Sequence, residues 1–146
     1  MKKLVLVAVM AGSLVSGQAF AACNDPRLNA TALKALLGGK TVCVPPITQS
    51  TMTWQELHVG TSTSTTGDLF DYKRGPPPSP DPTVKVGTWT VTANNAGNNA
   101  SVIHAYTGGN SYTYTVHGSG VVGTVHSFCV GNTAIDAMVK STTTGC

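Results

Sequence analysis

Between Trp54 and Arg74 the chain gathers side chains capable of chemistry more densely than anywhere else in its 146 residues. Trp54, Glu56, His58, Asp71, Tyr72 and Lys73, with Asp68 and Arg74 beside them, set carboxylates and cations among aromatic rings. Recognition sites are built from aromatic anchors and a few charged groups. Trp54, Glu56, His58, Asp71, Tyr72 and Lys73 are therefore the candidate binding residues. A plainer account competes with this one: two strands carry their polar face here, and Lys73 pairs with an aspartate.

Catalytic sets are harder to assemble. Glu56 is the sole glutamate, and nothing in the spacing brings Asp68, Asp71 or Asp81 to a common site with it for paired-carboxylate chemistry. Serine and threonine are abundant, but no Gly-x-Ser-x-Gly turn is present, and Gly118-Ser119-Gly120 reads as a hairpin loop. The four histidines, His58, His104, His117 and His126, are widely spaced and form no metal-binding motif, although His117 and His126 flank one expected hairpin. The run from Cys129 to Met138 contains no histidine and so lacks the central ligand of a copper loop. No catalytic residue, metal or cofactor is expected, and a non-enzymatic role is preferred to a small hydrolase.

The first 21 residues set the compartment. Lys2 and Lys3 precede an apolar run from Leu4 to Val15, and Ala19-Phe20-Ala21 follows, the layout of a secretory signal with a small-x-small cleavage site. The apolar run is too short for a bilayer span. Cleavage would leave a single domain over 22–146, periplasmic or secreted, with no integral span. A second possibility is a lipid anchor: Phe20-Ala21-Ala22 before Cys23 approaches the box that precedes an acylated cysteine, which would make the protein an outer-membrane lipoprotein.

Charge narrows the partners. The chain has nine Lys and Arg against six Asp and Glu, and Lys2 and Lys3 leave with the signal. Only Lys73-Arg74 is then a basic pair, too little for a nucleic-acid face. Charged residues are 10% of the chain, far below the ~25% usual in globular domains, and its polarity comes from Thr, Ser, Asn and Gly. A protein or glycan of the cell envelope is the expected partner, with a structural subunit of a surface assembly as the alternative.

The elements that must position these residues are mainly strands. Leu28, Ala32, Leu33, Leu36 and Leu37 recur at helical spacing between Asp25-Pro26 and Gly38-Gly39, predicting one helix over 27–37. Beyond Cys43 the vocabulary of Thr, Val and Tyr predicts strands at 51–59, 68–73, 84–93, 100–107, 111–117, 122–130 and 134–141. Residues 75–82 hold five prolines and read as a surface loop. A three-residue loop at Gly108-Gly109-Asn110 would set Tyr106 opposite Tyr112, His104 opposite Tyr114 and Val102 opposite Val116, all on one face. Gly87-Thr88-Trp89 resembles the Gly-x-Trp of lipocalin barrels, but there the motif lies on the first strand, and the 57 residues after Trp89 are too few for eight strands. Trp89 is expected in the core.

Cys23, Cys43, Cys129 and Cys146 are an even set in an exported chain and read as two disulfides. Pairing Cys23 with Cys43 and Cys129 with Cys146 would close two short loops and tie down each terminus. The expected fold is mainly β with one N-terminal helix (α+β), an antiparallel meander or small, partly open barrel, stapled by disulfides.

Overall fold

The computed structural model describes residues 22–45, 54–72, 84–143 and 145–146. The expected signal at 1–21, the proline-rich segment 75–82, and Lys73 and Arg74 lie outside the described residues.

Among the described residues one helix, α1 (Ala30–Leu37), precedes eight strands: β1 (Lys40–Val44), β2 (Trp54–His58), β3 (Thr66–Asp71), β4 (Val84–Thr92), β5 (Ser101–Tyr106), β6 (Ser111–His117), β7 (Val125–Val130) and β8 (Thr133–Lys140). Each strand pairs antiparallel with the next, and β1 returns to β8 through Thr41↔Lys140, Val42↔Val139 and Cys43↔Met138. The meander is thus a closed barrel, not an open sheet, and closure leaves no unpaired strand edge.

Strand β1 is the element absent from the sequence reading, and it is the one that closes the barrel. Its central residues Thr41, Val42 and Cys43 are all buried, so it lacks the alternation that marks a half-exposed strand. Val42 faces the lumen, while Thr41 and Cys43 lie beneath the C-terminal segment. There Thr41 Oγ1 donates to Thr142 O at 2.6 Å, Cys146 N donates to Gln55 Oε1 at 2.6 Å, and Cys146 is bonded to Cys43.

The helix begins three residues later than its leucine periodicity suggests. Asn29 caps it, its side chain accepting from Ala32 N at 2.9 Å. Residues 26–28 are held instead by the barrel: Leu28 N donates to Val116 O, and Gly118 N to Pro26 O. Leu33, Leu36 and Leu37 are buried and join Val42, Val91, Val102 and Val116 in one core, each fully buried leucine contributing ~1.5–3 kcal/mol. The helix packs on β1, β4 and β5 and closes the barrel end where β1 starts and β4 finishes. Lys40 Nζ donates to Ala35 O and Gly38 O, placing a cation at the negative helix C-terminus.

Trp89 lies fully buried on β4, with four strands after it, as its distance from the C-terminus requires. The indole fits because Gly67 stands opposite it. A Cβ on Gly67 would fall 1.9 Å from Val59 O and 2.8 Å from Trp89 Nε1. The space kept open lets Trp89 Nε1 donate to Val59 O at 3.1 Å.

Two expectations are corrected. The disulfides join Cys23 to Cys129 and Cys43 to Cys146, interlaced instead of local. Each ties a terminal segment across the outside of the barrel to a strand from the other end of the chain, which closure brings alongside. In the β5–β6 hairpin, Tyr106 N donates to Asn110 O, so the loop is Thr107-Gly108-Gly109 and the register is His104↔Tyr112 and Val102↔Tyr114. Both loop glycines adopt positive φ, 108° and 116°, which fixes the turn one residue earlier than expected. The shift of two leaves the lumen-facing parity intact: Val102, His104, Tyr114 and Val116 are all buried.

Candidate functional site at the open barrel end

Opposite α1, the lumen ends at the first residue of β2, the last of β3 and β5, and the start of β6. Cross-strand pairs assign the faces. Glu56 stands opposite both Val42 and Asp71, and His58 opposite Leu69, so Trp54, Glu56, His58 and Asp71 share the lumen side. The alternation of β2 thus delivers three of the six candidate residues to the inside, and the β2–β3 register adds a fourth. Tyr72 follows Asp71 and turns outward, its hydroxyl donating to Thr143 O under the C-terminal segment. Lys73 lies outside the described residues. Asp68 forms an exposed ion pair with Lys85 at 2.7 Å, a contact of small energetic weight.

Inside, the candidates meet partners from across the barrel. Glu56 is only 4% exposed. Its Oε1 accepts from the Tyr106 hydroxyl, and its Oε2 stands 3.2 Å from His104 Nδ1, out of line for a hydrogen bond. His104 Nε2 then meets His58 Nε2 at 3.0 Å. Tyr106, Glu56, His104 and His58 therefore form a chain linking β2 to β5 through the lumen, although β3 and β4 separate them in the sheet. Aromatic rings enclose it. His58 is edge-on to Trp89 at 5.5 Å, and His104 is edge-on to Tyr114 at 5.2 Å and to Tyr106 at 6.3 Å.

Burial and charge set the protonation of this chain. Burial, then the electrostatic influence of the neighbouring His104 ring, drives His58 well below the usual imidazole range, while the carbonyls of Glu56 and Lys40 oppose the shift more weakly. Tyr106 is pushed far upward by burial, then by the negative charge of Glu56 and the hydrogen bond to it, so it remains a donor. Tyr114 is raised by burial and by Glu56.

His104 falls outside the sequence-derived set, although its place among tyrosines marks it as a hydrogen-bonded core imidazole. Its partnership with His58 carries no sequence signal, because it forms only when eight strands close. His117 and His126, which the expected hairpin could have joined, face opposite sides of the sheet: His117 pairs with Ser127, and His126 with Ala137. His117 lies between Thr115 Oγ1 and Asp25 O and fastens the N-terminal segment, while His126 Nε2 accepts from Gly120 N near the helix. Among the described residues no group of three or more His, Cys, Asp or Glu is arranged to hold a metal ion.

The rim of this end is apolar. Val84, Tyr112 and Val130, at the ends of β4, β6 and β7, are exposed by 53%, 44% and 45%. Tyr112 also packs edge-on to Tyr106 at 5.9 Å. A separate hollow of about 430 Å³ beside Cys23, lined by Ala22, Asn24, Asn132 and Ala134, offers few groups for recognition.

Fold and site together define a closed, helix-plugged antiparallel barrel with a polar chain beneath an aromatic mouth. No family model, curated protein or solved structure matches this chain. Its two disulfides place it in an oxidising, non-cytoplasmic compartment, and among the described residues no helix is long and apolar enough to cross a membrane.

Proposed function

We propose that this chain is a non-catalytic binding module of the bacterial periplasm or cell envelope, which takes a protein or glycan partner at the barrel mouth. The observation that carries this reading is the concentration of Trp54, Tyr106 and Tyr112 with Asp71 at the end opposite the helix, rimmed by exposed Val84 and Val130. Barrel mouths are common ligand sites, and exposed apolar groups rimmed by polar ones mark interaction surfaces. The Cys23 sulfur is engaged with Cys129 and is not free for acylation, which favours a released domain over a lipid-anchored one.

The competing roles fit less well. A hydrolase built on an imidazole would need that ring beside a nucleophile in an open site, whereas the Nε2 atoms of His58 and His104 are engaged with each other and His117, beside Thr115 Oγ1, is fastened to Asp25 O beneath the N-terminal segment. A subunit that assembles by strand addition would need a free edge, which closure removes.

Co-sedimentation with isolated envelope fractions tests the reading. Wild type and Val121→Ser, altered at the helix end, should sediment alike, while Tyr112→Ala with Val130→Ser should bind at least tenfold more weakly. Treating the fraction with muramidase or with protease then separates glycan from protein. Equal binding by all three proteins would move the site away from the mouth.

A further inference from the structure

The buried polar chain has a geometry that a purely structural core would not require. Tyr106, Glu56, His104 and His58 lie end to end between two strands that are not sheet neighbours. The contact between the two Nε2 atoms holds one proton between them and cannot accommodate two, since protonating both nitrogens turns a hydrogen bond into repulsion at 3.0 Å.

We propose that this chain is an acid-released latch: above the latch's transition it clamps β2 to β5 across the lumen and holds the mouth in shape, and a proton added at His58 breaks it and loosens the mouth. Its consequence for ligand binding rests on the reading of the mouth as the binding face, but the latch itself does not.

Every element around His58 bears on its charge. From its own strand comes Glu56, and from β3 comes Asp71, the cross-strand neighbour of Glu56. From β5 come His104 and Tyr106, and from β6 come Tyr112 and Tyr114, the hydroxyls of Tyr106 and Tyr114 being held above the ordinary phenol range chiefly by burial. β4 offers the uncharged indole of Trp89. β1 presents the Lys40 carbonyl, while the Lys40 ammonium is directed to Ala35 and Gly38 at the helix end. On β7, His126 is occupied by Gly120 N and Thr124 O. The acid groups near the chain meet Tyr106 and His104 before His58, so a proton added at His58 Nε2 meets the His104 Nε2 it was bonded to, with no carboxylate between them. Opening relieves that conflict by letting the imidazole charge in water.

Amide hydrogen exchange of the intact oxidised protein between pH 8 and pH 5, corrected for intrinsic rates, reads the latch without any ligand. Below about pH 6.5 protection of β2 and β5 amides should fall about tenfold per pH unit, the slope of one proton taken up on opening, and should lie below that of β7 and β8 amides, which exchange only on global unfolding. His58→Gln keeps an amide able to bond His104 Nε2 but cannot titrate, and it should flatten that slope. Equal protection in all strands at every pH, or an unchanged slope in His58→Gln, would overturn the latch. Should the variant not fold, imidazole nitrogen shifts of the wild type decide. His58 gaining a proton together with the loss of β2 protection supports the latch, and His58 gaining it without that loss refutes the latch. Mouth binding that survives a failed latch leaves the binding module standing, and a working latch with no mouth binding removes only the binding module.

Discussion

At the residue scale, the interior works because small and large side chains are matched across strands. Gly67 opposite Trp89 is the sharpest case: Gly67→Ala would drive a methyl against a backbone carbonyl and the indole nitrogen. Displacing the ring costs the Nε1 bond to Val59 as well as packing, so a loss of about 2–4 kcal/mol is expected. Urea denaturation measures it, and a red shift of tryptophan emission would accompany it. The buried imidazoles make a second prediction. His58 and His126 are held below the ordinary range in the folded protein, chiefly by burial. The unfolded chain therefore takes up more protons as pH falls through about 6.5, so stability is full above that value and declines below it, by up to ~1.4 kcal/mol per pH unit for each histidine. Denaturation midpoints at pH 7.5 and 5.5 check this; equal midpoints would mean these rings are accessible to solvent. Trp89 as a core residue was readable from its strand, since an aromatic on an alternating β segment seeks an interior. The His58–His104 contact was not readable, because it spans 46 residues and depends on a curvature that no local pattern encodes.

At the element scale, local chemistry carried most of the fold. The alternation of Val, Thr and Tyr against Gly and Asn turns gave seven of the strands close to their observed bounds. What escaped was β1, buried on both sides and running from a helix stop through Cys43. Its missing alternation is itself a consequence of the C-terminal segment folding over it. The hairpin register slipped by two because loop placement depends on which residues accept positive φ, while the face did not change because the strand period is two. The helix illustrates the same division, its leucines visible in sequence and its start set by a cap. Asn29→Ala should cost about 1 kcal/mol by removing that cap. Leu33→Ala should cost about 2–5 kcal/mol by opening a cavity where the helix plugs the barrel. Chemical denaturation of the two variants should preserve this order; a reversed order would show that the helix is held by its cap more than by its packing.

At the scale of the whole molecule, closure decides which distant residues meet. It brings the N-terminal segment to β7 and the C-terminal segment to β1, so the cysteines pair across the chain even though local loops were available to them. The sequence showed four cysteines and an oxidising route, but the choice among three pairings depends on where the strands lie after closure. Non-reducing peptide mapping should recover Cys23 linked to Cys129 and Cys43 to Cys146, and recovery of Cys23 linked to Cys43 would contradict the barrel's closure. The energetic weight follows from loop length. Each bond alone spans more than a hundred residues and is worth ~4.7 kcal/mol in the chain-entropy model. Once one is formed, the shortest path between the other two cysteines runs through it, along residues 23–43 and 129–146, so the second bond adds less, about 4 kcal/mol. Removing either pair by Cys→Ala substitution should therefore destabilise by nearly the same modest amount, and removing both should cost roughly twice as much. Urea midpoints for the three variants test this. A much larger loss on removing Cys43 and Cys146 alone would show that the C-terminal segment stabilises β1 by direct packing over Thr41 and Gln55, beyond its effect on the unfolded chain.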